Sequence, residues 1–339
     1  MRSTPWIIAG IAATLAAPAF AQPTPQRVNA DNFIRAESDM YMSNSLKGGS
    51  LGKLGHRREP ASIDDQTVIR LNRDTLYSSA VFDLDAGPVE ITMPDAGQRF
   101  MSLQVINQDH YTPAVYYGAG RRQLTRENVG TRYVLVAIRT LVDPGDPNDL
   151  AQVHALQDRI TTTQKAPGTL DLPAWDAASQ KKVRDALLAL AAMQPDFREA
   201  FGTREEVNPI HHLLGTAAGW GGNPDKDAVY LSVTPERNDG RTVYRLDVKD
   251  VPVDGFWSVS VYNAKGYYEK NAAGAYTVNN ITAKKAADGS VPIQFGGCDG
   301  KVANCIPTVD GWNYTVRLYR PRQAVLDKQW RFPAPRPVN

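Results

Sequence analysis

The stretch Asn72-Arg73-Asp74-Thr75-Leu76-Tyr77-Ser78-Ser79-Ala80-Val81-Phe82-Asp83-Leu84 sets a polar cluster directly ahead of a β-strand pattern. Its β-branched and aromatic residues, closed by the turn signal Asp85-Ala86-Gly87-Pro88, favour an extended chain over a helix. Three further runs follow at close spacing: Val89–Met93, Phe100–Ile106 and Tyr133–Ile138. Short strands broken by such turns point to a sandwich rather than a parallel sheet. Far downstream, Asp254-Gly255-Phe256-Trp257-Ser258-Val259-Ser260-Val261-Tyr262-Asn263 repeats the pattern, with Phe256 and Trp257 pointing to opposite faces of a strand. Strands at Val229–Val233, Val243–Val248, Tyr276–Asn279, Val291–Phe295 and Tyr314–Tyr319 accompany it, with Asn238-Asp239-Gly240 as a hairpin turn between the first two.

Between these β-rich halves the composition shifts. Helices are expected from Pro147 to Ile160 and from Asp176 to Met193, joined by a linker over Thr161–Pro173, with a third possible over Glu199–Leu214. A short amphipathic helix capped by Asp31 is expected near Phe33–Tyr41. The expected organisation is a signal segment over 1–21, an N-terminal β-sandwich over 22–145, a helical insert over 146–224 and a C-terminal sandwich over 225–339.

The N-terminus carries Arg2, a mostly apolar run from Trp6 to Phe20, and Ala19-Phe20-Ala21 as a small-x-small cleavage pattern. The run is too short to span a bilayer and Pro18 interrupts it, so a cleaved secretory signal and a periplasmic or secreted protein are expected. No later segment has the pattern of a membrane span. Hydrophobic content of 42%, charged content of 22% and a formal net charge of +2 are ordinary for a soluble protein. That balance gives no electrostatic case for nucleic acid or an anionic membrane. The cysteines, Cys298 and Cys305, lie close together around Gly300, and in an exported chain they are expected to form one disulfide.

Several separate strings resemble a known bacterial pairing. Asn72–Ser78 and Arg99-Phe100-Met101-Ser102-Leu103-Gln104 look like a domain of unknown function numbered 1254. Ala217–Gly222, Phe256-Trp257-Ser258, Asp288-Gly289-Ser290 and Arg317-Leu318-Tyr319-Arg320-Pro321 look like its C-terminal companion, numbered 1214. The chain departs at Asn304-Cys305-Ile306-Pro307, where many relatives carry an Asn-Trp-Leu-Pro string, and a cysteine there fits the disulfide. The resemblance implies a mainly β chain with a helical insert: an immunoglobulin-like sandwich followed by a jelly-roll sandwich. It implies no established reaction, and fold alone supplies none.

Candidate chemistry is sparse. Asp74 reads either as a turn cap or as an acid, base or hydrogen-bond acceptor on a pocket rim, and Asn72 and Tyr77 divide in the same way between structure and ligand contact. His110, after Asn107-Gln108-Asp109 at a strand end, and His212, beside a glycine-rich loop, are the candidate partners of Asp74 in acid–base catalysis. The five histidines have no metal-binding spacing, so no metal site is expected, and the sequence leaves any cofactor unknown. Gly48-Gly49-Ser50-Leu51-Gly52 matches a nucleophile elbow only in form, since no strand precedes it and no helix pattern follows. Aromatics in the C-terminal half read as core or as faces for a sugar ring. The candidate ligand contacts are therefore Asn72, Tyr77, Asn107, Asp109, Trp220, Trp257 and Asn263. The leading expectation is a protein that binds a small organic or carbohydrate-like ligand in an inter-domain cleft. A hydrolase or lyase, and an envelope structural or assembly protein, are the alternatives.

Overall fold

The computed structural model describes residues 24–48, 51–66 and 69–338. The signal segment and the Gly49-Ser50 part of the elbow match lie outside the described residues. Among the described residues the chain is mainly β, with two sandwiches and a helical layer.

The N-terminal sandwich uses β1 (Gly55–His56), β2 (Thr75–Asp83), β3 (Val89–Met93), β4 (Met101–Asn107), β5 (Ala114–Tyr117), β6 (Gly120–Leu124), β7 (Tyr133–Leu141) and β8 (Thr161–Gln164). A five-stranded sheet, ordered β1-β2-β7-β4-β5, packs on a three-stranded sheet, ordered β6-β3-β8. Strand alternation sends Ala80, Phe82, Val134, Val136 and Ile138 into the shared core. Thr161–Gln164, expected as linker, is strand β8 because it completes the smaller sheet against β3.

The C-terminal sandwich uses β9 (Ala228–Val233), β10 (Tyr244–Val248), β11 (Trp257–Tyr262), β12 (Thr277–Asn279), β13 (Val291–Phe295), β14 (Cys305–Ile306), β15 (Asn313–Tyr319) and β16 (Arg336–Pro337). It has two four-stranded sheets, β14-β13-β10-β16 and β12-β11-β15-β9. The Asn238-Asp239-Gly240 turn exists, with Gly240 in the left-handed region, but it makes no hairpin. Strand β9 pairs with β15 and β10 with β13, so the segment crosses from one sheet to the other. Cys298 and Cys305 form the expected disulfide.

The helices are α1 (Phe33–Ser45), α2 (Arg126–Val129), α3 (Pro147–Asp158), α4 (Ala177–Ala191), α5 (Pro209–Gly219) and α6 (Gln323–Leu326). The cap position of α1 falls to Asn32, one residue beyond the expected Asp31. Helices α1, α4 and α5 pack around Phe33, Leu187 and Leu214. Arg184 of α4 holds the buried Glu37 of α1, joining two segments far apart in sequence. Met42 of α1 and Trp220 after α5 then cover Val81, Ile106, Tyr133 and Leu135 on the outer face of the five-stranded sheet. That second cover explains why β7 is buried along its whole length.

No helix among the described residues is long and apolar enough to cross a membrane.

Candidate functional site at the seam between the sandwiches

The helical layer covers only one end of that outer face. At the other end Tyr77 of β2 lies opposite Arg139 of β7, which lies opposite Ser102 of β4. Cross-strand partners share a face, so these polar side chains point together toward the C-terminal sandwich.

The C-terminal sheet answers with a polar face of its own. In β11 the side chains of Trp257, Val259 and Val261 enter the sandwich core, while Ser258, Ser260 and Tyr262 face outward. In β15 Tyr314, Val316 and Leu318 are core, and Asn313, Thr315, Arg317 and Tyr319 share the opposite face. Tyr230 of β9 and Thr277 and Asn279 of β12 extend that face by their register. The segment Arg70–Asp74 crosses it. Arg70 Nη1 donates to Asn313 Oδ1 and Thr315 Oγ1, each at 2.9 Å, and the hydroxyls of Tyr262 and Tyr268 donate to the Leu71 carbonyl at 2.8 and 2.7 Å.

An apolar rim closes one side. Phe256 stacks on Tyr319 with ring centroids 4.2 Å apart, and Phe100 meets Phe256 edge-on at 5.0 Å. This approach needs Gly255, because a Cβ there would fall 2.6 Å from the Tyr319 carbonyl oxygen.

Inside the rim sit two buried guanidinium groups whose hydrogen-bond partners are all neutral. Arg139 donates to Gln104 Oε1 at 2.6 Å, the Gly221 carbonyl at 3.0 Å and Asn223 Oδ1 at 3.4 Å. Arg317 donates to the Tyr262 hydroxyl at 2.6 Å, the Arg70 carbonyl at 2.8 Å and Ser260 Oγ at 2.9 Å. The Asp74 carboxylate is fully buried here, and its Oδ1 accepts from Thr277 Oγ1 and Asn279 Nδ2, each at 3.0 Å. Its Oδ2, like Ser102 Oγ and Ser258 Oγ, has no partner among the described residues. Three oxygens share the two N–H groups of the Asn72 side-chain amide: Thr75 Oγ1 and the Tyr319 hydroxyl, each at 3.2 Å, and the Tyr77 hydroxyl at 3.3 Å. Burial alone would raise the Tyr77 phenol, but the Arg139 charge and the donors to its oxygen outweigh that and hold it below the usual tyrosine range.

The expected acid–base partners are elsewhere. His110 Nδ1 donates to Thr216 Oγ1 at 2.7 Å, since that hydroxyl donates onward to the His212 carbonyl, and His110 Nε2 accepts from Gly221 N at 2.8 Å. Burial and the neighbouring His212 hold the His110 imidazole well below its usual range. Both nitrogens of His212 face carbonyls, Ala200 at 2.9 Å and Asp109 at 3.0 Å. Trp220 stacks on His110 at 5.2 Å and donates to Ser38 Oγ. Asn107 shapes the same loop by accepting from the backbone N–H of Asp109 and Tyr111, and Asp109 pairs with Arg35. Asn107, Asp109, His110, His212 and Trp220 thus form one cluster, and Asn72, Asp74 and Tyr77 another. Trp257 belongs to the C-terminal core. Asn263 accepts from the backbone N–H of Lys265 and Tyr267 in a surface turn. Among the described residues no group of three or more His, Cys, Asp or Glu side chains could hold a metal ion.

Residues 51–127 match the family described as protein of unknown function (DUF1254), and residues 228–323 match protein of unknown function (DUF1214). The two matches follow the order DUF1254, then DUF1214, along the chain. Asn72, Asp74 and Tyr77 fall in the first matched stretch, and Tyr230, Asn279, Arg317 and Tyr319 in the second. The crystal structure of the VPA0106 protein from Vibrio parahaemolyticus is similar, with a TM-score of 0.70 at 17% identity over 91% of this chain and 98% of that one. An uncharacterized protein from Burkholderia cenocepacia aligns with a TM-score of 0.49 at 12% identity, over 91% of this chain and 87% of that one. No curated protein matches the chain significantly.

Sequence reasoning missed Arg139, Tyr230, Thr277 and Asn279, and met Arg317 and Tyr319 only within a family string. One signal was available: arginine is rare inside fully buried strands, and Arg139 and Arg317 each interrupt one.

Proposed function

We propose that this DUF1254–DUF1214 protein binds a small organic or carbohydrate-like ligand in a cleft at the outer edge of the seam. The observation that carries this reading is a recess of about 220 Å³ whose walls come from both sandwiches. The loop Met93–Met101 and Tyr117 form one wall, and Asp254, Gly255 and Arg320 form the other. The Arg320 guanidinium lies 4.7 Å from the Tyr117 ring centre, so a cation and an aromatic face stand side by side. The volume is below the roughly 300 Å³ of typical drug-sized sites, which limits the occupant to about the size of a monosaccharide or small acid. A second recess, near Tyr262 and Tyr276, holds only about 10 Å³, room for one water. Export to the periplasm, expected from the N-terminal segment, would place the protein among such solutes.

The test is a thermal-shift titration of the purified protein against monosaccharides and small organic acids, repeated on Arg320→Ala. The reading predicts stabilisation by at least one class and its loss in the variant. No shift with any member, or a shift unchanged in Arg320→Ala, would overturn it.

A further inference from the structure

Counting hydrogen-bond donors against acceptors in the seam leaves three phenol O–H donors over, against two carboxylate oxygens, Asp74 Oδ2 and, at the rim, Asp227 Oδ2, that are unpartnered among the described residues. Tyr77 and Tyr319 each accept from the Asn72 amide, and Tyr230 accepts from Asn223 Nδ2 at 2.8 Å. Among the described residues none of these three hydroxyls donates to a protein acceptor. Ser102 and Ser258, on the same facing surfaces, leave their hydroxyls unpartnered as well. A phenol carries one O–H donor besides its acceptor lone pairs, so three donors remain unused. The three rings are neighbours. Asn72 bridges Tyr77 to Tyr319, Arg139 lies 5.5 Å from the Tyr77 ring centre, and Asn223 links Arg139 to Tyr230. Tyr77 and Tyr230 keep some accessible surface, while Tyr319 is buried.

The charge in the seam is unbalanced in the same sense. Arg70, Arg139 and Arg317 bring three positive charges, with neutral hydrogen-bond partners throughout. Against them stand two carboxylates, Asp74, which spends one oxygen on Thr277 and Asn279, and Asp227 at the rim, which accepts from the Tyr117 hydroxyl and lies in the field of Arg320. Buried cations without counter-charges are costly, and an anion that also accepts O–H donors would relieve both imbalances together.

We propose that the seam is an anion site that seats a small carboxylate among the hydroxyls of Tyr77, Tyr230 and Tyr319, in the field of Arg139 and Arg317. A carboxylate fits this donor set better than a phosphate. The free O–H donors are neutral, the N–H groups of Arg139 and Arg317 that reach Gln104, Gly221, Ser260, Tyr262 and the Arg70 carbonyl are already engaged, and a single negative charge with about four lone-pair positions matches three such hydroxyl donors. The Arg139 charge holds the Tyr77 phenol below its usual range, while burial pushes the Tyr319 phenol well above its own, so the field favours negative charge on the Tyr77 side of the site. This site is independent of the outer cleft, since none of the three tyrosines lines that cleft.

Bromide is a monovalent anion that anomalous diffraction can locate. Crystals of the protein soaked in sodium bromide are expected to show an anomalous peak within hydrogen-bond reach of the three phenol oxygens. The peak is expected to disappear when sodium acetate replaces most of the bromide, and to be lost in Tyr77→Phe/Tyr319→Phe. Tyr230→Phe, which removes one donor and leaves Asn72 untouched, is expected to weaken it and covers the case in which the double variant fails to crystallise. Arg320→Ala is expected to keep the peak, which separates this site from the cleft. Bromide found only at surface arginines and lysines, a peak unchanged in the tyrosine variants, or a peak that acetate does not displace would overturn the proposal.

Discussion

Two buried polar clusters lie within the same chain, and they differ in how their hydrogen bonds close. In the cluster of His110, His212 and Thr216 both His110 ring nitrogens are matched, one donating to the Thr216 hydroxyl and one accepting from Gly221 N–H, and the Thr216 hydroxyl donates onward to the His212 backbone carbonyl. In the seam, three phenol protons and Asp74 Oδ2 find no partner among the described residues. A closed network serves the fold, tying α5 to the β4–β5 loop. An open one leaves bonding capacity for a group the chain does not supply. The sequence offers His110 and His212 as acid–base partners of Asp74 and Tyr77 as a ligand contact, and the unspent bonding capacity lies with Tyr77 and two further tyrosines.

That contrast can be broken most forcefully at His110. His110→Ala removes two buried bonds and a stacked ring, orphans Gly221 N–H, and is expected to cost about 3 kcal/mol or more by urea denaturation. A loss below about 1 kcal/mol would mean the cluster is not a structural keystone.

Acid should act on the same residue. The folded-state pKa of His110 is lowered, so below about pH 6.5 the unfolded chain takes up a proton that the folded chain refuses. Stability from this group is therefore present above that pH and lost as pH falls toward the folded value, at up to about 1.4 kcal/mol per pH unit. Urea midpoints from about pH 8 to about pH 5 should fall less steeply in His110→Gln than in the wild type. Equal slopes would remove His110 as the source.

Arg139→Met sharpens the comparison from the seam side. It strands acceptors on Gln104, Gly221 and Asn223 but also removes a buried charge, so about 2 kcal/mol is expected, with loss of anion response. Asp74→Asn keeps the shape and one acceptor oxygen, and is expected to cost about 1 kcal/mol. A loss several-fold larger would make Asp74 the fastener between the sandwiches rather than part of an open site.

Much of this was legible beforehand. The polar string Asn72–Tyr77 at a strand entry marked the N-terminal half of the seam, and Phe256 and Trp257 do point to opposite faces, one to the seam rim and one to the C-terminal core. The Tyr133–Ile138 run stopped one residue short of Arg139, because a charged residue ordinarily ends a buried strand, whereas here a polar face opposite accommodates it. Which faces meet is set by contacts between residues some 200 positions apart, such as Asp74 with Asn279, and local periodicity carries no information about those. The false hairpin at Asn238–Gly240 has the same origin: the turn chemistry is local, but strand pairing is decided by which sheet needs an edge.

The central claim is that the seam's tyrosine hydroxyls are held for a ligand and not for the fold. Urea unfolding of the wild type and of Tyr77→Phe/Tyr319→Phe, with and without sodium acetate at matched ionic strength, tests it most directly. The account predicts that without acetate the double variant loses only about 1 to 2 kcal/mol, the cost of stranding Asn72 N–H groups, and nothing for the phenol protons, which had no acceptor. With acetate, only the wild type should gain stability, by linkage. A double variant as damaged as His110→Ala without acetate, or an acetate response shared by both proteins, would contradict it.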